Sequence, residues 1–319
     1  MEPIRFGFAV LALLLVLLGG AFGVAFAVLA GGDEQTVTAE SGMTEPGTTE
    51  TQVLLAAGDI AECDYQGDEA TARILAEYPE ATIAPLGDLA YPEGTLADFE
   101  NCYDPSWGKY KRRTRPATGN HDHSTTNAQG YWDYFGERGG PFDRYHYSYE
   151  LGAWHVVVLN SDCWRIEGCE PDDPQIEWLR GDLQLHDAAC TLAYWHRPPF
   201  SSGRYGDPEN TQRVRPLWQA VVEGGVDLVL ASHEHSYERF APMNGVGNRD
   251  EDRGARLIVA GTGGGNLRRF ENAPLPTTER RNDDTWGVVK LTLEPTGYTW
   301  EFLPVAGKSF TDSGSGTCH

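Results

Sequence analysis

The sequence predicts an α/β domain whose strands are covered on both faces. Two observations carry that expectation. Short apolar runs recur through the chain and alternate with segments of helical periodicity, the pattern of strands buried beneath helices. Polar residues with chemistry to offer follow those runs: Asp59 and Asp88 after Gly58 and Gly87, His196 after Trp195, and His233 after Ser232. Loops at the carboxyl ends of strands converge on the site in open α/β sheets, so this shared position says more than any one motif.

Taken in order, residues 53–57 read as the first strand and 68–78 as the first helix, with 82–86 as the next strand. Residues 155–159, 191–194 and 227–230 are further buried runs, and 173–187 and 209–224 have helical patterns between them. Residues 256–260, 288–293 and 298–305 read as sheet. The last two form a hairpin across Pro295-Thr296-Gly297. No internal repeat or second linker interrupts residues 52–319, which are read as one catalytic domain.

The amino-terminal part reads differently. Residues 6–32 carry no charge, and about 20 apolar residues cross a bilayer as a helix. Arg5 precedes the run, Asp33 and Glu34 follow it, and the next basic residue is Arg73, so the body of the chain is expected outside the cytoplasm. Both a retained anchor and a signal segment cut near Val28-Leu29-Ala30 fit residues 1–32. Residues 33–51, rich in Thr and Glu, read as a flexible stalk. The formal charge of -22 opposes nucleic-acid binding, which depends on basic groups displacing counterions. Six cysteines fit disulfides in an exported protein. The short loop between Cys163 and Cys169 favours that pair; among the arrangements left for the other four is Cys63–Cys102 with Cys190–Cys318.

Five segments carry candidate metal-ligand chemistry: Gly58-Asp59, Gly87-Asp88-Leu89-Ala90-Tyr91, Gly119-Asn120-His121-Asp122, Trp195-His196 and Ser232-His233-Glu234-His235. Oxygen, imidazole and phenol donors at the ends of five separate apolar runs describe two neighbouring ions better than one. His121 beside Asp122 suggests an imidazole held protonated as a hydrogen-bond donor or general acid. The run Gly261-Thr262-Gly263-Gly264-Gly265 lacks the Gly-Lys-Ser/Thr ending of a P-loop and reads as a tight loop near the site.

The ordered set Asp59, Asp88 with Tyr91, Asn120-His121-Asp122, His196 and His233-Glu234-His235 resembles the calcineurin-like metallophosphoesterases, most nearly their purple acid phosphatase branch. The resemblance spans residues 55–240. It implies a sandwich of two mixed β-sheets flanked by helices, with a two-metal centre at the strand ends. Asp59, Asp88, Tyr91 and His235 would hold one ion and Asp88, Asn120, His196 and His233 the other, with Asp88 bridging. Many members carry Asp-x-His where this chain has Asp59-Ile60-Ala61, so Tyr91 is expected to supply a phenolate in place of the missing imidazole. A phenolate favours Fe(III), with Fe(II), Zn(II) or Mn(II) beside it. Arg197 stands where larger members often place a second histidine, and is expected to contact a phosphate oxygen. Many large members also carry a separate amino-terminal β-sandwich domain, which is not expected in this chain.

The expected activity is an exported phosphomonoesterase in which a metal-bound hydroxide attacks phosphorus, with His121 and Asp122 as the acid-base group. A phosphodiesterase acting on nucleotides or lipid head groups is the alternative within the same chemistry. A surface-tethered binding protein with a vestigial site is the alternative of another class. The expected partners are a phosphate-ester small molecule and, if the first segment is uncleaved, a membrane.

Overall fold

In the computed structural model the described residues are 50–166 and 168–319. The expected anchor or signal at 1–32, and the stalk at 33–51 up to residue 49, lie outside them. Among the described residues no helix is long and apolar enough to cross a membrane.

Two mixed sheets face each other. The first has the order β12-β11-β10-β1-β2, where β1 (Gln52–Ala57) runs parallel to β2 (Thr82–Pro85) and antiparallel to β10 (Gly287–Glu294). A tight turn joins β10 to β11 (Gly297–Pro304), the expected hairpin, and β12 (Ser313–Thr317) closes the edge. The second sheet has the order β3-β4-β5-β6-β8-β7-β9. At its centre β4 (Trp154–Val158), β5 (Cys190–Tyr194), β6 (Leu228–Ala231) and β8 (Arg256–Ala260) are parallel. The flanking β3 (Tyr147–Leu151), β7 (Tyr237–Phe240) and β9 (Thr278–Asn282) pair antiparallel.

The period-two alternation of strand side chains divides the interior into layers. Leu54 and Ala56 of β1 point between the sheets with Val156, Val158, Leu192, Leu230 and Leu291. Their neighbours Leu55 and Ala57 face the other way, against Leu75 of helix α1 (Gly67–Ala76) and the aromatic residues around α2 (Gln129–Phe135). Val157, Ala193 and Val229 pack outward against Leu179 of α3 (Pro174–Leu185) and Leu217 and Val221 of α4 (Arg215–Glu223). Strands buried on both faces need uninterrupted apolar runs, which is why the sequence announces them. Each large apolar side chain so buried contributes about 1.5–3 kcal/mol.

Four strands, β3, β7, β9 and β12, lie outside the expected set. β9 (Thr-Glu-Arg-Arg-Asn) and β12 (Ser-Gly-Ser-Gly-Thr) are partly exposed edge strands with no apolar run, held by backbone pairing to a neighbour. The helix expected over 209–224 is broken. A short turn at Pro208–Thr211 precedes α4, whose first turn takes Pro216, a residue without the N–H a helix interior needs.

The disulfides are Cys63–Cys102, Cys163–Cys169 and Cys190–Cys318. The last closes 128 residues and ties the start of β5 in one sheet to the chain just after β12 in the other. Closing so long a loop removes unfolded-state entropy worth about 4–5 kcal/mol.

Candidate metal centre

β1 and β2 run parallel in one sheet and β5 and β6 in the other, and the loops that follow all four strands meet at one rim. Asp59, Asp88 and His233 each leave their strand in the left-handed backbone region, with φ of 57°, 51° and 69°. Residues other than glycine rarely sit there, at a cost of about 1–3 kcal/mol each, and such strain gathers at functional sites. Gly119 lets the next loop approach closely: a Cβ there would collide with the Asp88 amide and carboxylate. The glycine run 261–265 packs on the Asp59 loop, with the Gly263 amide donating to the Gly58 carbonyl at 2.9 Å and the Gly265 amide to the Asp59 carbonyl at 2.8 Å.

Two donor sets form around Asp88. In the first, the Tyr91 hydroxyl lies 2.9 Å from Asp59 Oδ1, 3.3 Å from Asp88 Oδ2 and 3.2 Å from His235 Nε2. His235 Nε2 is also 3.1 Å from Asp59 Oδ1. In the second, His196 Nε2 lies 3.2 Å from Asp88 Oδ2, 3.3 Å from Asn120 Oδ1 and 3.1 Å from His233 Nδ1. Asp88 Oδ2 belongs to both.

The outer nitrogens orient these rings. His196 Nδ1 lies 3.0 Å from the Leu86 carbonyl and His235 Nδ1 lies 2.6 Å from the Asn266 carbonyl. A carbonyl only accepts, so each Nδ1 carries the proton and each Nε2 turns a lone pair inward, the usual support for a ligating imidazole. Lone pairs from His196, Asn120 and Asp88 then converge, an arrangement that calls for a cation; Arg197 donates to His233 Nε2, so the His233 proton sits on Nδ1, facing His196 Nε2, where a cation would displace it. Without one, burial disfavours charge on His196 but the Asp88 carboxylate outweighs it, pushing its pKa up to about 9. Burial, reinforced by Asp59 and Asp88, lifts the Tyr91 phenol well above its ordinary value, so it becomes a phenolate only beside a strong positive charge. The residues present fit two metal ions.

His121 stands at the mouth of the site. Its Nδ1 meets the Pro92 carbonyl at 2.5 Å, its ring centre is 4.5 Å from that of Tyr91, and its Nε2 is 4.0 Å from Asp88 Oδ2. Its side chain is 34% exposed, enough to reach a ligand from solvent. Asp122 takes a different place from the one its sequence position suggests. Its carboxylate is fully buried and accepts from the Gly119 amide at 2.8 Å and the Leu89 amide at 3.2 Å, pinning the loop. Burial, aided by the Asp88 charge, pushes its pKa up to about 8. The carboxylate opposite the His121 ring is that of Asp88. Arg197 is likewise engaged: its Nε lies 3.2 Å from Asp162 and one terminal nitrogen lies 2.8 Å from His233 Nε2. It braces a candidate ligand.

Residues 52–237 match the calcineurin-like phosphoesterase family, more than half of the chain. The chain belongs to that family. Within it the likeness runs to purple acid phosphatases. A protein of Arabidopsis thaliana named "Probable purple acid phosphatase 20" is 26% identical over 242 residues, covering 68% of this chain and 53% of the relative. The human acid phosphatase type 7 is 29% identical over 37% of this chain and 33% of its own length. The chain thus spans about half or less of these relatives. Among solved structures, a purple acid phosphatase from yellow lupin seeds superposes with a TM-score of 0.70 at 19% identity, over 86% of this chain and 55% of that one. A dimetal phosphatase from Danio rerio superposes at 0.56 with 12% identity, over 84% of this chain and 99% of that one. These structural likenesses are of fold, the two-sheet architecture described above.

Three residues around the centre were not singled out in the sequence. Asn266 and Arg268 follow the glycine run, and Tyr205 stacks on His233 with ring centres 4.5 Å apart. The glycine run, already read as lying near the site, was the available signal for the first two. Nothing in the sequence marks Tyr205.

Proposed function

We propose that this protein is an exported, metal-dependent phosphomonoesterase. The observation that carries the reading is the sharing of Asp88 Oδ2 by two complete donor sets, Asp59–Tyr91–His235 on one side and Asn120–His196–His233 on the other. Two bound ions would supply Lewis acidity for the phosphate and an activated water. The chain's own residues do the rest. The Asp122 carboxylate and Gly119 hold the Asn120–His121 loop against Asp88, and the Pro92 carbonyl fixes the His121 ring by its Nδ1 proton. His121 Nε2 is then left facing the site, and in the imidazolium form it donates to a phosphate oxygen or to the departing alkoxide. Arg197 keeps His233 in place. The three disulfides support an oxidising, extracytoplasmic location.

Protein loaded with iron and a second divalent ion is expected to hydrolyse an aryl phosphomonoester faster than the matched diester, and to lose activity on chelation. Faster diester turnover would move the reading to a phosphodiesterase. No hydrolysis of either ester with two ions bound would overturn it in favour of a binding role.

The iron assignment rests on Tyr91. A phenolate on Fe(III) absorbs visible light by charge transfer, so the iron-loaded protein should be coloured and the band should survive exchange of the second ion. Tyr91→Phe packs similarly but has no oxygen to donate, and should be colourless with turnover reduced less than on losing Asp88. A colourless wild type holding stoichiometric Fe(III) would eliminate the phenolate.

A further inference from the structure

Arg268 sits on a segment bound tightly to the site. The Gly265 amide donates to the Asp59 carbonyl, the Trp286 indole donates to the Gly265 carbonyl at 2.7 Å, the Asn266 carbonyl receives His235 Nδ1, and the Arg268 amide donates to the His235 carbonyl at 2.9 Å. Its side chain lines a cavity of about 360 Å³ together with Tyr91 and His121. Its guanidinium lies 5.4 Å from the centre of the Tyr205 ring, the ring that stacks on His233. Its charge is felt at both Tyr91 and His235. Arg268 therefore lies beside both donor sets, next to Tyr91 through the shared cavity and next to His233 through the Tyr205 ring.

The two arginines at the site differ in what they have left to give. Arg197 is consumed by Asp162 and His233. Arg269, next in sequence, is paired with Asp283 at 2.8 Å. Arg268 has no carboxylate partner among the described residues, and a half-buried arginine held by backbone and an aromatic face with its fork unpaired is arranged for an anion from outside.

We infer that Arg268 binds the non-bridging oxygens of the substrate phosphate across the cavity from His121, and that it favours a phosphomonoester over a diester. The inference rests on the phosphoesterase reading above. A monoester dianion has a third non-bridging oxygen and a second negative charge to offer the fork; a diester has neither. The assignment also gives the loop after the glycine run a task in recognition.

The test compares metal-loaded wild type, Arg268→Gln and Arg268→Lys in hydrolysis of an aryl phosphomonoester and its matched diester, and in binding of inorganic phosphate by calorimetry, with metal content measured for each. Arg268→Gln is expected to lower monoester kcat/KM by about 10- to 100-fold, the loss of a charge-assisted contact, and to weaken phosphate by a similar factor. Diester kcat/KM should fall several-fold less. Arg268→Lys keeps the charge without the fork and should recover only part of the loss. Equal loss on both esters, or phosphate bound as tightly by Arg268→Gln as by wild type, would overturn the inference. Should Arg268→Gln fail to retain metal, wild-type phosphate affinity in a metal-replete Arg268→Lys would overturn it instead. Phosphate binding needs no turnover, so a wild type that binds phosphate through Arg268 yet hydrolyses neither ester would defeat the phosphatase reading alone.

Discussion

Asp88→Asn is expected to reduce bound metal at both positions and to lower turnover by about 10³-fold or more, since bridged ions contribute several kcal/mol of charge stabilisation. The carboxylate is almost fully buried, and its Oδ2 reaches both the Tyr91 hydroxyl and His196 Nε2. Asparagine keeps the shape and can still accept the His121 amide hydrogen bond that Oδ1 now takes at 2.7 Å, so the loop should hold. What disappears is the one negative charge that both donor sets share. The measurement is metal content by elemental analysis beside kcat on an aryl phosphomonoester. A variant with two ions and near-wild-type turnover would remove Asp88 from the bridging position.

His121→Ala is expected to lower turnover by about 10²–10⁴-fold while leaving metal content near that of wild type, the range for a positioned general acid. The two readouts separate because the His121 backbone amide, which bonds Asp88, survives the substitution and only the ring is lost. The ring touches the site from its exposed side: Nδ1 is taken by Pro92 and Nε2 stands off Asp88 at 4.0 Å, longer than the 2.9–3.3 Å separations among the candidate ligands. Esters with better leaving groups should be less sensitive, since they need less help from a proton donor. Loss of metal in place of turnover would make His121 a ligand or a structural residue.

The central strands and the site loops were legible in the sequence for one reason. A strand buried on both faces must be apolar throughout, and a loop that ends it with Gly-Asp or His breaks the run abruptly, so fold and candidate site share a signal. Residues 53–57 and Asp59 are read together, as are 227–230 and His233. The edge strands β9 and β12 carry no such signal, because half-exposed strands paired through backbone tolerate Thr, Ser, Gly and Arg.

By itself the sequence determined the alternating α/β class, the export-compatible cysteines and the set of donors, because those depend on residue type and local order. Tertiary structure decided what the donors face. Asp122 is adjacent to His121 in sequence, yet its side chain turns inward to the Leu89 and Gly119 amides, and Asp88, distant along the chain, comes to oppose the imidazole. Arg197 follows a candidate ligand, yet Asp162 claims it, while Arg268 reaches the mouth only because the glycine run after β8 packs against the loop after β1. Neighbours in sequence fix a backbone position; which way a side chain points is set by hydrogen-bond partners and charges that folding brings from elsewhere.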